Sequence, residues 1–160
     1  MDARTRRLTT AFAVVAVLLL LLGVVAWAFT DVNGHERATV TVADANGTTL
    51  GVVNASVADS EAERYRGLSG TQSLANGTGM LFVYGAESER TFVMREMNYP
   101  IDMVFVGADG RITRVFHAET EERPYEQYTA RAKWVLEVPY GWTTRHGVEA
   151  GDRVRVTYGA

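Results

Sequence analysis

The chain contains no cysteine, only three prolines and three histidines, and one lysine beside fifteen arginines. Without cysteine it can form neither a disulfide nor a lipoprotein anchor, so an exported domain depends on its core alone for stability. The histidines, His35, His117 and His146, form no helical pair, and thiolates are absent, so the usual zinc patterns are missing. We therefore predict no metal site and no cofactor.

The charge balance is acidic, with a formal net charge of −3. The first thirty residues hold three of the 16 basic and one of the 19 acidic residues, which leaves a net charge near −5 for the remainder. Such a surface argues against nucleic acid and against an anionic membrane surface as partners. We predict no nucleic-acid partner.

A long apolar run occupies residues 8–29, directly after Arg4, Arg6 and Arg7. A helix needs about 20 apolar residues to cross a hydrocarbon core of about 30 Å. The positive flank is expected to stay in the cytoplasm. The pattern predicts a single-pass cell-membrane protein with a cytoplasmic flank at 1–7, a transmembrane signal anchor at 8–29, a linker at 30–36 and an extracytoplasmic domain at 37–160.

Two alternatives remain for this run. A cleaved signal peptide has the same basic start, but its apolar part is usually only about 7–15 residues, and residues 27–31 make a poor cleavage site. A buried core helix is disfavoured because the run is terminal and apolar on every face.

Short alternating segments dominate the rest of the chain and predict strands. Ser60 with Glu63 has capping-box spacing and predicts a helix to about Leu68 that Gly70 ends, and a second short helix is expected before Gly147. The predicted fold is α+β: a compact, β-rich, antiparallel domain with two short helices, preceded by one transmembrane helix. Its expected strands span residues 38–42, 49–57, 80–84, 91–94, 101–106, 111–117, 133–138 and 153–158, and 118–130 is expected to be an exposed polar excursion.

Seven segments carry a family resemblance: residues 66–68, 79–82, 92–102, 109–112, 135–137, 141–142 and 147–154. In this order they closely resemble the domain-of-unknown-function family 192, over about residues 48–157. The resemblance implies a single β-rich domain of a family whose members are often exported or membrane-anchored. It brings no established reaction. The chain departs from the family pattern at Ser69, Val93 and Glu96, where a methionine, an aromatic residue and an asparagine are usual.

Four residues form the best candidate constellation: Arg66, Arg95, Asp102 and His117. Asp102 lies within an otherwise apolar segment, and a lone buried carboxylate is costly, so it needs a partner. The structural interpretation is an ion pair with Arg66 or Arg95. The functional interpretation places Asp102 and an arginine at the floor of a cleft that orients a small polar or anionic ligand.

The position of His117 depends on a turn. If Asp109 and Gly110 form a two-residue turn, the strand register sets His117 directly opposite Asp102, and the pair could act as a general base. A three-residue turn with Gly110 left-handed shifts the register by one and sends His117 elsewhere.

Trp142, beside Tyr140, is either a sugar-stacking platform or an aromatic that closes the core. Asn46, Asn54 and Asn76 begin three glycosylation sequons, although Asn46 and Asn76 also suit turns. Asn54 sits in an alternating strand pattern that points it to solvent.

The sequence favours a non-enzymatic function: a membrane-anchored ligand-binding or envelope-associated accessory module. One alternative is an envelope hydrolase that uses Asp102 with His117 or Glu96. Another is a subunit of a membrane complex, which should expose a large apolar patch.

Overall fold

Valine-rich and threonine-rich alternation produces a seven-stranded sheet in the computed structural model, which describes residues 36–159. Strands and helices follow in the order β1 (Arg37–Ala43), β2 (Thr49–Ala58), α1 (Glu61–Arg66), β3 (Thr78–Phe92), β4 (Ile101–Val106), β5 (Ile112–Ala118), β6 (Tyr128–Pro139), α2 (Trp142–His146) and β7 (Arg153–Tyr158). The expected β-rich domain with two short helices is confirmed.

The sheet is mixed, with the strand order β5-β4-β6-β3-β2-β1-β7. The antiparallel prediction is wrong for one pair, because β2 and β3 run parallel, with Ala55 opposite Gly79. Parallel neighbours need a crossover connection, and here α1 and residues 67–77 supply it.

The two outer strands of the sheet meet. Arg111, just before β5, forms a bridge with Arg153 of β7, and Ile112 N donates to Asp152 O at 2.8 Å. The sheet therefore curls on itself and has an inner and an outer face. The inner face holds an aliphatic core to which every strand contributes: Val40, Val53, Leu81, Val104, Ile112, Leu136 and Val154.

The outer face carries a second core beneath α1 and the loops around residues 67–77 and 93–100. A row of edge-to-face ring contacts runs through it, with centroids 4.9–5.6 Å apart: Phe82, Phe92, Phe105, Phe116 and Tyr128. Strands β3 and β6 extend this face. The predicted strands at 80–84 and 91–94 are one strand, and residues 85–89 are not a loop, because 88–92 pair with 128–132 beyond an irregularity after Val83.

The first helix begins as expected. Ser60 caps α1 and accepts from Glu63 N, while the Glu63 carboxylate accepts from Ser60 N. The helix ends earlier than predicted, because Gly67 rather than Gly70 turns the chain, at φ +51°. Gly147 ends α2 as predicted, with φ +64°.

Within residues 36–159, no helix has the length and apolar character needed to cross a membrane. The predicted signal anchor at 8–29, its flank at 1–7 and most of the linker lie outside the described residues.

Candidate functional site

Asp102 lies on the inner face of β4 with no solvent exposure. Its Oδ2 accepts from Thr143 N at 2.9 Å and from Thr143 Oγ1 at 2.6 Å, and its Oδ1 accepts from Gly141 N at 3.1 Å. His117 Nδ1 lies 2.8 Å from Oδ1, as for a ring N–H that donates to a carboxylate. Asp102 therefore fastens the start of α2 to the sheet, where backbone N–H groups lack helical partners.

The predicted ion pair of Asp102 with Arg66 or Arg95 is wrong. Asp102 bonds to His117, Gly141 and Thr143 instead, whereas both arginines line a pocket with outer-face residues. The physical reason is the period-2 geometry of strands, which put Asp102 and the outer core on opposite faces. The four candidate residues thus lie in two separate places, Asp102 with His117 in one and Arg66 with Arg95 in the other.

The pairing of Asp102 with His117 matches the two-residue-turn interpretation, but the turn itself is the three-residue one. Gly110 is left-handed at φ +78°, Gly110 N donates to Gly107 O at 3.0 Å, and Gly107 N donates to Arg111 O at 2.8 Å. A second irregularity, between Phe105 and Val106, compensates and restores the register that sets His117 opposite Asp102. No local pattern in the sequence predicts this compensation.

Arg66 and Arg95 line the same pocket, which we call the arginine pocket. It is a cavity of about 200 Å³ between the end of α1, the loop after β3 and the outer face of the sheet. Ser69 and Val93, two of the departures from the family pattern, also line it. Its walls combine cationic and apolar side chains: Arg64, Arg66, Arg95, Phe82, Phe92 and Met97.

The two arginines differ in their attachments. Arg95 is held in place, because its guanidinium lies 4.1 Å from the centre of the Tyr65 ring and donates to Tyr65 O, while its own carbonyl accepts from Ser69 Oγ at 2.9 Å. Arg66 is exposed, and its guanidinium has neither a hydrogen bond nor an ion pair within the described part of the chain. One guanidinium is thus positioned, and the other is available to an incoming anion.

Glu137 is a pocket residue that the sequence arguments missed. It lies on the outer face of β6, only 5% exposed, and lines the arginine pocket. Its strand neighbours are Met80 of β3 and Met103 of β4, neither of which can bond to a carboxylate. The sequence did contain a signal for Glu137, because this residue interrupts an apolar strand just as Asp102 does.

The Glu137 carboxyl makes no hydrogen bond within residues 36–159, and its oxygens still reach solvent. Burial alone raises its pKa to about 8, so the group is mostly neutral at pH 7. Burial also raises the pKa values of the nearby Tyr84 and Tyr99 phenols, which remain neutral as well. The arginine pocket therefore combines cationic side chains with one uncharged acid, Glu137.

Trp142 lies in the inner core, 4% exposed. A Cβ built on Gly51 would come within 2.5 Å of Trp142 Cζ2, so the ring fills space that only glycine leaves open. Beside it His146 Nδ1 contacts Leu50 O at 2.8 Å. This placement is that of an aromatic closing the core at α2.

Glu96 occupies a left-handed conformation at φ +55°, in an exposed turn next to the arginine pocket. The three sequon asparagines, Asn46, Asn54 and Asn76, are all exposed, and Asn54 faces solvent from β2 as expected. Within residues 36–159, no group of three or more histidine or acidic side chains is placed to hold a metal ion.

Comparison with known proteins places this architecture in a family. Residues 41–156 match the model of DUF192, described as an uncharacterized ACR, and the chain therefore belongs to that family. A crystal structure of a protein of unknown function from Novosphingobium aromaticivorans DSM 12444 is similar, with 30% identity, a TM-score of 0.69, and coverage of 78% of this chain and 88% of that one. Another, from Sinorhizobium meliloti 1021 and described as a suggested transcription regulator, has 26% identity, a TM-score of 0.70, and coverage of 76% and 95%. The search of curated proteins found no match.

Proposed function

We propose that this DUF192 member is a membrane-anchored, extracytoplasmic binding module whose arginine pocket takes a small polar or anionic ligand. The location depends on the apolar run at 8–29 and its arginine flank, which are typical of a signal anchor. The ligand depends on the pocket.

The observation that carries the proposal is the presence of Arg66 and Arg95 at one pocket with apolar walls. Guanidinium groups bind carboxylates and phosphates through paired, charge-assisted hydrogen bonds. Arg66 has no partner of its own among the described residues, so binding an anion would break no existing bond.

The hydrolase alternative receives less support from the geometry. His117 is half-exposed, at 48% of its side chain, and its contact with Asp102 would suit a general base. However, the same carboxylate also accepts three hydrogen bonds from Gly141 and Thr143, which a stabilising cap explains fully. Glu96 does not join Asp102 and His117, because it lies in an exposed turn next to the arginine pocket.

The alternative of a membrane-complex subunit predicts one large exposed apolar patch. In the described part of the chain, the exposed large hydrophobic residues divide among three pockets: Tyr65 and Val93, Val52 and Tyr140, and Tyr158. A binding module therefore remains the proposal.

A thermal-shift screen of the full-length protein against small carboxylates, phosphates and sugars tests the proposed ligand class, since a ligand that binds only the native state raises the melting temperature. We expect hits among the anions, and we expect Arg66→Gln to weaken their binding roughly tenfold, the loss of a charge-assisted hydrogen bond. Arg123→Gln, in the exposed loop between β5 and β6, is the matched control. Anion binding that both variants retain equally would exclude the arginine pocket.

The location has its own test. Protease added to intact cells should remove the domain while leaving a membrane-embedded N-terminal fragment. Recovery of the intact chain from a soluble fraction would contradict the anchor. The predicted glycosylation is tested separately. A loss of mass on enzymatic deglycosylation would show that at least one of Asn46, Asn54 and Asn76 carries a glycan. An unchanged mass would contradict that prediction.

A further inference from the structure

Glu137 requires an explanation that the fold does not supply. Asp102, which is fully buried, satisfies its oxygens with three hydrogen bonds from the start of α2 and a fourth contact to His117 of β5. Glu137, at 5% exposure, has none within residues 36–159. A methionine or leucine at the centre of β6 would avoid the cost of an unpaired polar group. A carboxyl at this position therefore takes its hydrogen-bond partner from outside the chain, either water or a ligand in the pocket.

The surroundings of Glu137 define that partner. Met80 and Met103 flank it along the sheet, and the phenols of Tyr84 and Tyr99 are the titratable groups nearest to it. Arg66 is exposed and Arg64 and Arg95 are half-buried, whereas Glu137 is 5% exposed, so the cationic side chains lie at the mouth of the pocket and Glu137 lies at its floor. A ligand that engages both ends must be polar at both.

Charge decides between ligand types. A cationic mouth attracts an anion and repels a simple amine. At the floor, an uncharged carboxyl presents an O–H donor, which pairs with a carbonyl oxygen. The apolar side chains that line the same pocket, Phe82, Phe92 and Met97, suit a short hydrocarbon link.

We propose that Glu137 is the specificity-determining residue of the arginine pocket and donates a hydrogen bond to the carbonyl of a short oxo-carboxylate, whose carboxylate meets Arg66 and Arg95. The inference deepens the proposed function and rests on it. The ligand class is thus a small anion with an acceptor oxygen at its far end. No covalent step is involved.

Three matched probes test this: pentanoate, 4-oxopentanoate and 4-aminopentanoate, titrated calorimetrically against the full-length protein. At pH 6.5 we expect 4-oxopentanoate to bind about fivefold more tightly than pentanoate, the effect of one added hydrogen bond. At pH 9.5 the preference should vanish, because Glu137 is then ionised and only accepts. The phenols of Tyr84 and Tyr99 have raised pKa values and stay largely protonated longer than Glu137, so they do not explain a loss centred near pH 8.

Variants separate the floor from the mouth. Glu137→Gln keeps a donor and should preserve the preference for the oxo acid at both pH values. Glu137→Leu should bind pentanoate and 4-oxopentanoate equally. Arg66→Gln should weaken both probes by the same factor and leave their ratio unchanged.

Equal binding of the two probes by the parent protein at pH 6.5, a preference for 4-aminopentanoate, or a preference retained in Glu137→Leu would each overturn the inference. If other anions bind in an Arg66-dependent manner while the oxo acid shows no advantage, the inference fails and the proposed function stands. If no anion binds at all, both fail. Circular dichroism of each variant verifies that the fold is intact.

Discussion

Thr143 and Asp102 lie 41 residues apart in the sequence and share two hydrogen bonds through a single carboxylate oxygen, one from the backbone N–H and one from the hydroxyl of Thr143. Both residues are buried. The contact joins the start of α2 to the middle of the sheet, and α2 in turn carries Trp142 into the inner core. A polar contact thus positions an apolar one.

Replacing Thr143 with valine should destabilise the protein. The change keeps the side-chain shape but removes the 2.6 Å hydrogen bond to a charged acceptor, at a cost of about 1.5–3 kcal/mol. Thr144→Val, at the exposed neighbouring position, is the matched control and should change the free energy of unfolding by less than about 0.5 kcal/mol. Urea unfolding measures both. Equal effects would mean that the hydroxyl of Thr143 contributes nothing specific.

Gly51→Ala should also destabilise the protein, by about 1–3 kcal/mol, because the new methyl group would lie 2.5 Å from Trp142 Cζ2. The control is Gly85→Ala, in β3, where nothing lies within 4 Å of the added carbon. Thermal unfolding followed by tryptophan fluorescence reports the melting temperature and the ring environment together. An unchanged melting temperature for Gly51→Ala would show that Trp142 has room to move.

Glu96→Asn and Glu96→Gly should stabilise the protein by about 0.5–1 kcal/mol. Glu96 holds φ at +55°, a conformation that asparagine and glycine tolerate far better than other residues. Glu96→Ala separates conformation from charge: it removes the carboxylate but keeps the strained backbone, so its stability should stay close to that of the parent. If alanine stabilised as much as asparagine, repulsion rather than backbone strain would be responsible. Stabilisation by asparagine and glycine but not by alanine would give the usual asparagine of the family pattern a backbone explanation.

The stability of the protein should fall as the pH rises from about 4.5 to about 8. Burial raises the pKa of Glu137 in the folded state to about 8, from an ordinary value near 4.5, so the folded state binds more protons than the unfolded chain across this window. Each pKa unit corresponds to about 1.4 kcal/mol, so the loss amounts to several kcal/mol. Below the window this contribution is fully present, and above it the contribution is gone.

Glu137→Gln is the direct measurement of that slope. The variant should be more stable than the parent at pH 8.5, and its advantage should shrink toward pH 4.5, in urea titrations across the range. Glu126→Gln, at an exposed position, should follow the parent curve. If the free energies of unfolding of the parent and Glu137→Gln depend on pH in the same way, the Glu137 carboxyl has a hydrogen-bond partner in solution.

Local chemistry made much of the fold predictable. The Ser60 capping box, the alternation of β1, β2 and β7, and the apolar run of β4 each depend on neighbours in sequence, and each was located correctly. The end of α1 and the length of β3 were not. Two glycines were available to end the helix, and the structure uses Gly67. Whether residues 85–89 form a loop depends on the pairing of 88–92 with 128–132, which are distant in the chain.

The candidate site was also predictable only where local sequence was sufficient. Its sequence signal was a charged residue in an apolar strand, and that signal identified Asp102 but applies equally to Glu137. A strand pattern tells which residues share a face but not which face meets which helix. The structure therefore places Arg66 and Arg95 at one pocket, while Asp102, their predicted partner, bonds on the opposite face.

By itself, the sequence determined the β-rich class, the Ser60 cap, the end of α2 at Gly147 and the cost of a carboxylate in an apolar strand, because these follow from local periodicity and residue chemistry. Only the tertiary structure decided that Asp102 is satisfied while Glu137 is not. The reason is that hydrogen-bond partners come from strands and helices whose positions are set by the parallel crossover and two compensating irregularities, and no local pattern encodes their sum.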